Sequence, residues 1–580
     1  MTRLTTSLLL ATLLCGPTAQ EAARPNILVI MVDDMGYSDL GCYGGEVETP
    51  HIDRLAGKGL RFSQFYNTSR CCPTRASLLT GLYPHQAGVG RMTFDQDQPG
   101  YRGHLSEKAV TIAEVLNTAG YRTAMVGKWH LSLTENTPQN ALWVSHRLDL
   151  GSFSDPDTYP VGRGFQQHWG TIWGVVNFFD PFSLVKDREP VANVPEDFYY
   201  TDAITDHAIN FIEEFSQGDA PFFLYVAHTA PHWPLHALPE DIAKYRDTYT
   251  VGWDAIREAR YDRMVKMGLI EADTAILSQR IRKERSWDKN PNKDWDARAM
   301  AVHAAMIDRV DQGIGRILDK LEACGRLENS LILFLSDNGA SPEDLTRGGP
   351  GFDRPSHTRD GKKMIYDKEK ATMPGAEHTY ASIGAMWANA ANTPFRYWKK
   401  EQYEGGVCTP LIAHWPAGLK AEEGSITHQT GHVIDIMATC VDLAKVDYPN
   451  RFNDEDILPM EGRSLLPILE GDQRNGHDAI FFEHFGSRAV RQGRWKLVAL
   501  KGKPWELYDL TSDRTEMRNL AAQDPDKTAT MAALWQDWAG RSQVLPPPGG
   551  RKQGGRKAGA KKKSPAANTG SEENSPLKGL

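Results

Sequence analysis

Two short stretches of the chain share one design, and together they restrict the fold more than any other feature. Residues 27–32, in "NILVIMVDD", form a continuous apolar run that stops at two aspartates. Residues 331–335, in "SLILFLSDN", form a second apolar run that is followed by an aspartate and an asparagine. An apolar run without polar alternation is typical of a strand that is buried on both faces, as in parallel sheets.

Two further runs have the same design, and helical stretches separate the four. "PFFLYVAHTAPHWP" ends in histidines, and "YRTAMVGKWHL" ends in Lys128 and His130. Residues 296–325 have apolar positions at three-or-four spacing, which predicts a long helix. Alternating strands and helices predict an α/β fold with a large mixed, mostly parallel sheet flanked by helices. In such sheets ligands bind beyond the carboxyl ends of the strands.

The pattern changes near residue 420. "AIFFEHF", "SRAVRQGRWKLVAL" and "PWELYDL" are short strand-like runs joined by turns, and a helical stretch follows them. These runs predict a smaller C-terminal α+β lobe, with an antiparallel sheet and one helix. We therefore divide the chain into a leader (1–23), a large N-terminal domain (24–420), a C-terminal subdomain (421–545) and a tail (546–580).

Both ends of the chain differ from the middle. Residues 1–23 have Arg3, an apolar run and small residues near Ala19, which predict a signal peptide and a periplasmic or secreted protein. Lipidation at Cys15 is the alternative, but Leu14 stands where a lipoprotein signal has a small residue. We expect no stable membrane insertion, because the run is short for a bilayer. The basic, low-complexity tail is expected to be disordered, either solvated or binding a polyanion.

Charge and cysteine content exclude several classes of protein. The 580 residues have a formal net charge of -8, which argues against a nucleic-acid partner. Seven cysteines are too few for a disulfide scaffold, and they show no CxxC pairs, which argues against structural zinc.

The stretch "CCPTRASLLTG" has six defined positions of the pattern C-x-P-x-R-x-x-x-L-T-G, counted from Cys71. It resembles the signature of the sulfatases that depend on formylglycine. "VDDMGYSDLGCYG" and "TPFRYWKKEQYEGG" extend the resemblance along the chain, and the bacterial arylsulfatases are the most similar branch. The resemblance implies an alkaline-phosphatase-like fold and the release of sulfate from an aryl or carbohydrate sulfate ester.

The signature also separates the two neighbouring cysteines. Only Cys71 has proline two residues later and arginine four residues later, so Cys72 occupies a free position. The resemblance implies that a formylglycine-generating or radical maturation enzyme oxidises Cys71 to the aldehyde. In its hydrate, one hydroxyl attacks sulfur and the other later expels sulfate. The alternative is two ordinary cysteines before a helix.

Asp33, Asp34, Asp337 and Asn338 follow the two buried strands. They are hard oxygen ligands, which favour Ca²⁺ or Mg²⁺ over zinc. The resemblance implies one Ca²⁺, with the modified Cys71 completing its ligands; Mg²⁺ is the alternative. A lone "DD" or "DN" is more often a turn or a helix cap.

The resemblance assigns roles to five further residues. Arg75 holds the hydrated aldehyde, and Lys128 binds sulfate. His130 takes a proton from the second hydroxyl, and His232 binds sulfate and is the candidate acid for the leaving oxygen. Lys399, selected over Lys400 by its spacing from Glu404, neutralises sulfate charge. Pro231 and Pro234 exclude a helix on which His228, His232 and His236 would form a metal triad, so His228 and His236 are expected to support neighbouring site residues or to be structural.

Two other functions stay open at this point. One is a phosphonate monoester or phosphodiester hydrolase of the same superfamily, and the other is a catalytically silent protein that binds sulfated glycans. We expect substrate specificity to come from loops within 95–104, 143–165 and 343–366.

Overall fold

The computed structural model describes residues 24–134, 151–282, 284–345, 354–366 and 370–548. The leader, nearly all of the tail and parts of two predicted specificity loops lie outside these ranges. The α-helices, numbered in chain order, are α1 Pro50–Gly57, α2 Cys71–Thr80, α3 Ile112–Thr118, α4 Tyr200–Phe215, α5 Pro239–Lys244, α6 Trp253–Lys266, α7 Lys293–Ala323, α8 Gly384–Ala391, α9 Glu404–Val407, α10 Asp435–Ala444, α11 Leu466–Leu469 and α12 Pro525–Arg541.

The strands are short apart from those at the centre of the molecule. They are β1 Asn26–Val32, β2 Leu60–Tyr66, β3 Arg122–Gly127, β4 Gln167–Thr171, β5 Leu184–Lys186, β6 Glu189–Pro190, β7 Phe222–Ala227, β8 Ser330–Ser336, β9 Ile365–Tyr366, β10 Thr379–Tyr380, β11 Cys408–His414, β12 Ile426–Thr427, β13 Gly431–His432, β14 Arg451–Phe452, β15 Glu455–Asp456, β16 Ile480–His484, β17 Ser487–Gln492, β18 Trp495–Ala499 and β19 Glu506–Asp509.

A large mixed sheet forms the centre of the described chain. Its order is β12-β2-β11-β8-β1-β7-β3-β4-β5-β6, and β13 also pairs with β2. The middle strands β8, β1, β7, β3 and β4 are parallel, whereas β11 runs antiparallel to both of its neighbours. Every residue of β1, β7 and β8 is buried, as the apolar runs predict.

Helices pack around this sheet in two groups. The long α7 contacts α1, α4 and α5, while α10 contacts α2 and α3. The buried positions of α7, which include Val302, Met306, Val310 and Ile314, follow the predicted helical spacing. The predicted α/β class with a mostly parallel, helix-flanked sheet is therefore confirmed.

The register of the middle strands aligns their carboxyl ends. Val32 of β1 pairs with Ser336 of β8. Met31 pairs with Ala227 of β7, which in turn pairs with Gly127 of β3. The residues that follow all four strands therefore leave the sheet side by side.

The smaller sheet is antiparallel, in the order β16-β17-β18-β19, and α12 packs on β17 and β18. This is the α+β lobe that the sequence predicts. The residues between the predicted division at 420 and this lobe include β12 and β13, which still belong to the large sheet.

A buried network of charges joins the two lobes. Glu404, at the start of α9, accepts hydrogen bonds from Lys496 at 2.8 Å, from Tyr66 at 2.8 Å and from Arg514. Lys496 also pairs with Glu516 at 2.8 Å, and both side chains are fully buried. Buried ion pairs between side chains therefore anchor the small lobe to the rest of the protein.

Replacing Lys496 tests this junction. Lys496→Met leaves two buried glutamates without their shared ammonium, so we expect a loss of about 3–5 kcal/mol in the free energy of unfolding. Lys503→Met, at an exposed position, is the matched control and should change little. Urea denaturation followed by circular dichroism measures both, and equal stability of the two variants would contradict the assigned role.

No helix in the described ranges is long and apolar enough to cross a membrane.

Candidate active site

The candidate site is built on the aligned ends of the middle strands. Asp33 and Asp34 follow β1, Asp337 and Asn338 follow β8, and Lys128 follows β3. The turns are held by backbone hydrogen bonds, from Asp33 N to Ala230 O at 3.0 Å and from Asp337 N to Val32 O at 3.1 Å. All five side chains are buried, at 0–2% exposure. The structure therefore brings together the four predicted metal ligands.

Three oxygen atoms in this group lack a hydrogen-bond donor among the described residues. They are Asp33 Oδ1, Asp34 Oδ2 and Asn338 Oδ1. A buried oxygen without a partner is costly, and carboxylate and amide oxygens are the ligands that Ca²⁺ and Mg²⁺ prefer. The donor set therefore fits one divalent cation. The described part of the chain also places ligand atoms of Asp33, Asp34 and His232 within 4.8 Å of one another.

Three cationic side chains contact other carboxylate oxygens of the site, and Asp337 Oδ1 accepts a hydrogen bond from the N–H of Asp34, at 3.3 Å. Lys128 Nζ contacts Asp33 Oδ2, and Lys399 Nζ lies 2.6 Å from Asp34 Oδ1. Arg75 Nη2 lies 2.9 Å from Asp337 Oδ2 and 3.6 Å from Asp33 Oδ2. Positive and negative groups therefore alternate across the site.

The surrounding charges and burial shift the pKa values of Asp33 and Asp337 in opposite directions. Burial opposes ionisation of Asp33, yet Lys128, His232 and Arg75 lower its pKa to about 2. Burial and the nearby charge of Asp33 raise the pKa of Asp337 well above its ordinary value. Asp33 and Asp337 thus compete for the same cations. A divalent cation bound beside them would stabilise the ionised form of both carboxylates.

Cys71 is the first residue of α2, and the whole helix is buried. Its Sγ lies 3.6 Å from Nδ1 of His130. A hydrogen bond from Cys72, followed by the charges of Lys128 and Lys399, lowers the pKa of Cys71 well below its ordinary value. The helix N-terminus adds positive potential at the same point, so the position favours an anion.

The neighbouring Cys72 has a different environment. Its Sγ contacts Met92 Sδ at 4.0 Å, and burial raises its pKa well above the ordinary value. The structure thus separates the two thiols as the signature does.

His130 is held in place by irregular backbone beyond β3. Its own φ is +59°, and its N–H donates to Ile172 O at 3.1 Å. A Cβ at Gly174 would lie 2.0 Å from His130 Nδ1, so only glycine leaves room for the ring. Burial lowers the pKa of His130 to about 4, which keeps the imidazole neutral at pH 7.

His232 enters the site from the loop after β7. Its Nδ1 donates to Trp233 O at 2.5 Å, so Nε2 faces Asp34 Oδ2 at 3.4 Å. His236 is tied instead to the carbonyl of Thr379, at 2.7 Å. His228 forms no hydrogen bond with a described residue, and burial lowers its pKa to about 3.

The structure also shows a second cluster of ion-paired side chains, which the sequence did not predict. Arg70, immediately before Cys71, lies 3.2 Å from Glu343, which also pairs with Lys400. Trp233 Nε1 donates to the same carboxylate. These residues come from separate loops and match no local pattern, so only the fold reveals their contact. Lys400 is 42% exposed, in contrast to the fully buried Lys399.

The charges at the strand ends suit an anionic ligand and a divalent cation, and comparison with known proteins names the family. The family description "Sulfatase" matches residues 25–446, and "N-sulphoglucosamine sulphohydrolase, C-terminal" matches residues 395–542. The chain belongs to the sulfatase family. It is an enzyme of the class that hydrolyses sulfate esters.

Individual relatives agree with this assignment. The chain is 31% identical to an uncharacterized sulfatase of Schizosaccharomyces pombe, over 91% of this chain and 96% of that one. It is 31% identical to an arylsulfatase of Klebsiella aerogenes, over 79% of this chain and 95% of that one. A protein whose structure was solved with its substrate D-glucosamine-2-N,6-O-disulfate matches this chain with a TM-score of 0.57 and 22% identity, over 91% of this chain and 100% of that one. This match shows that the two chains share a fold.

The adjacent Lys399 and Lys400 allow a matched test of the site. Lys399→Met removes a buried cation beside Asp34, and we expect kcat for a sulfate ester to fall about 10²–10³-fold. Lys400→Met removes a partly exposed ion pair and should change kcat by less than about fivefold. Steady-state sulfate release measures both, and similar losses in the two variants would refute the distinction.

Proposed function

We propose that the protein hydrolyses aryl or carbohydrate sulfate esters with a formylglycine made from Cys71 and one bound Ca²⁺. The observation that carries the proposal is the position of Cys71. It begins a buried helix and lies 3.6 Å from His130, and a hydrogen bond from Cys72 together with the charges of Lys128 and Lys399 lowers the pKa of its thiol. A side chain there meets both a base and the charges that a sulfate group needs.

The chemistry at Cys71 depends on its modification. Formylglycine, when formed, supplies a hydrated aldehyde whose hydroxyl is the nucleophile toward sulfur. The other side chains act around it. Lys128 and Lys399 offer positive charge to the sulfate oxygens, and Arg75 orients the nucleophile while it holds Asp337.

Asp33, Asp34, Asp337 and Asn338 would hold the Ca²⁺. When bound, the ion polarises sulfate oxygens and favours deprotonation of the attacking hydroxyl. The all-oxygen donor set supports Ca²⁺ or Mg²⁺ over a softer metal, and the resemblance of the sequence to the formylglycine-dependent sulfatases favours Ca²⁺.

Two histidines move protons in this proposal. His130 is neutral at pH 7 and therefore accepts a proton at the position beside residue 71. His232 directs Nε2 into the site, and protonation there lets it donate to the oxygen of the leaving group. The two rings lie on different loops, which separates the base from the acid.

We further propose that a formylglycine-generating or radical enzyme modifies Cys71 and that the protein is exported. Support comes from the C-x-P-x-R signature and from the signal-like residues 1–23. The known substrates of relatives include a disulfated glucosamine, so sulfated sugars join aryl sulfates as the substrates to assay.

The two cysteines provide the test of the modification. Mass spectrometry of the peptide that contains Cys71, from an active preparation, should show the mass of the aldehyde instead of the thiol. Cys71→Ala should abolish sulfate release, because no other side chain at the site can replace the nucleophile. Cys72→Ala is the matched control and should keep much of the activity. An active protein with an intact Cys71 thiol would refute the mechanism.

The cation is tested by stability instead of turnover. At a hundredfold excess over its Kd, Ca²⁺ should stabilise the metal-free protein by about 2.7 kcal/mol, seen as a higher Tm. Asp34→Asn should reduce this shift, because it removes one charged ligand. Asp472→Asn, at an exposed position, should keep the shift. No shift with Ca²⁺ in the unaltered protein, or a larger one with Mg²⁺, would contradict the assignment.

A further inference from the structure

Six large apolar side chains are exposed in the described part of the chain, and two of them are aromatic. Phe94 is 36% exposed and Phe485 is 42% exposed. A single exposed apolar residue is ordinary on a protein surface. Here, however, contacts lead from both rings to the residues around Cys71, so the pair marks the surface above the proposed active site.

A row of aromatic rings leads from His130 to Phe94. Between ring centroids, His130 lies 5.1 Å from Trp173, and Trp173 lies 6.2 Å from Phe94. His130 is itself 3.6 Å from Cys71. Because Trp173 is 4% exposed and Phe94 reaches the surface, Phe94 is the solvent end of this row.

Phe485 lies in the two-residue turn of the β16–β17 hairpin, which is closed by the pairing of His484 with Ser487. Its ring centroid is 4.5 Å from that of His484. Ser487 donates a hydrogen bond to Glu401, at 3.0 Å, and Glu401 follows Lys399 by two residues. The turn is therefore fixed to the segment that carries Lys399 into the active site.

The backbone of this turn does not favour phenylalanine. Phe485 has a φ of +50° and Gly486 a φ of +90°, as in the two-residue hairpin turns that prefer Asn-Gly. A bulky side chain in the left-handed region is strained, and an exposed ring gains little from burial. Since neither turn geometry nor core packing favours this residue, its strain points to a contact made with a ligand.

One short segment connects the two exposed rings. Arg91 lies over the Phe485 ring, 5.2 Å from its centroid, and Met92 contacts Cys72 at 4.0 Å. Three residues of extended chain span at most about 11 Å, so Arg91 and Phe94 lie close together. Both rings therefore lie beside the start of α2, where the proposed nucleophile is.

The two parts of a sulfate ester need different surroundings. The sulfate group is anionic and suits the buried cations Lys128 and Lys399. The organic group, bonded through the ester oxygen, then extends toward the surface. An exposed aromatic ring offers a face against which a flat apolar group can pack, and Phe94 and Phe485 provide two such rings.

We propose that Phe94 and Phe485 bind the ring of the ester's organic group, an aryl ring or the apolar face of a sugar, while the sulfate lies at residue 71. The inference rests on the proposed function and adds its specificity, because esters that carry a ring are bound better than sulfate alone. Phe485→Asn should therefore suit the turn better and the substrate worse.

Binding to the full chain with Cys71→Ala, in the presence of Ca²⁺, tests the proposal without turnover. Ligand-observed NMR gives the Kd of 4-nitrophenyl sulfate, of glucosamine 6-sulfate and of inorganic sulfate. Phe94→Ala and Phe485→Asn should each weaken the Kd of at least one ring ester about three- to tenfold, as for the loss of one aromatic contact. The Kd of inorganic sulfate should stay unchanged, and the ester that responds identifies the ring as aryl or sugar.

Two further variants are controls. Phe485→Tyr keeps the ring and should keep the Kd. Met517→Ala removes another exposed apolar side chain, at 37% exposure, from the segment between β19 and α12, and it should change no Kd.

The Tm of Phe485→Asn should equal or exceed that of the parent protein. A lower Tm, equal weakening for inorganic sulfate, binding of neither ring ester, or an unchanged Kd for both ring esters in Phe94→Ala and Phe485→Asn would overturn the proposal. Sulfate release from 4-nitrophenyl sulfate by the matured enzyme, with Cys71 intact before its modification, tests the proposed function separately.

Discussion

The structure depends on a set of buried charges at one edge of the large sheet. Asp33, Asp34 and Asp337 meet Arg75, Lys128 and Lys399 with no access to water. Removing such groups from water is expensive unless each finds an opposite charge, so the pairs restrict where their backbones can lie. Arg75 in particular connects α2 to the ends of β1 and β8, and this connection places Cys71 over the carboxylates.

The same charges explain how the site can accept an anionic sulfate ester together with a cation. A buried sulfate requires positive groups, and a hard cation requires negative ones. Because positive and negative side chains alternate in the site, a bound cation and a bound sulfate ester each find groups of opposite charge beside them. The oxygens of Asp33, Asp34 and Asn338 that lack donors point to the position of the cation.

Much of this arrangement could be predicted from the sequence, since it follows from local patterns. The apolar runs at β1 and β8 predict buried parallel strands, and parallel strands bring their carboxyl ends together. The residues after those ends, and the spacing around Cys71, then locate the site.

Other features could not be predicted, because they arise from contacts between distant segments. Glu343 contacts Arg70 across 273 positions of sequence. Gly174 matters only because the His130 ring occupies the space of its missing side chain. Trp253 of α6, Trp295 of α7 and Trp387 of α8 line one cavity, and each of them alone has the pattern of an ordinary core residue. Tertiary contacts of this kind leave no periodic signal in the chain.

X-ray diffraction from crystals of the matured protein grown with Ca²⁺ tests the central claim most directly. The account predicts anomalous density for one ion in contact with Asp33 Oδ1, Asp34 Oδ2 and Asn338 Oδ1, and a side chain at position 71 that ends in oxygen. Density for an intact thiol at Cys71 in an active enzyme, with no ion between the carboxylates, would contradict it.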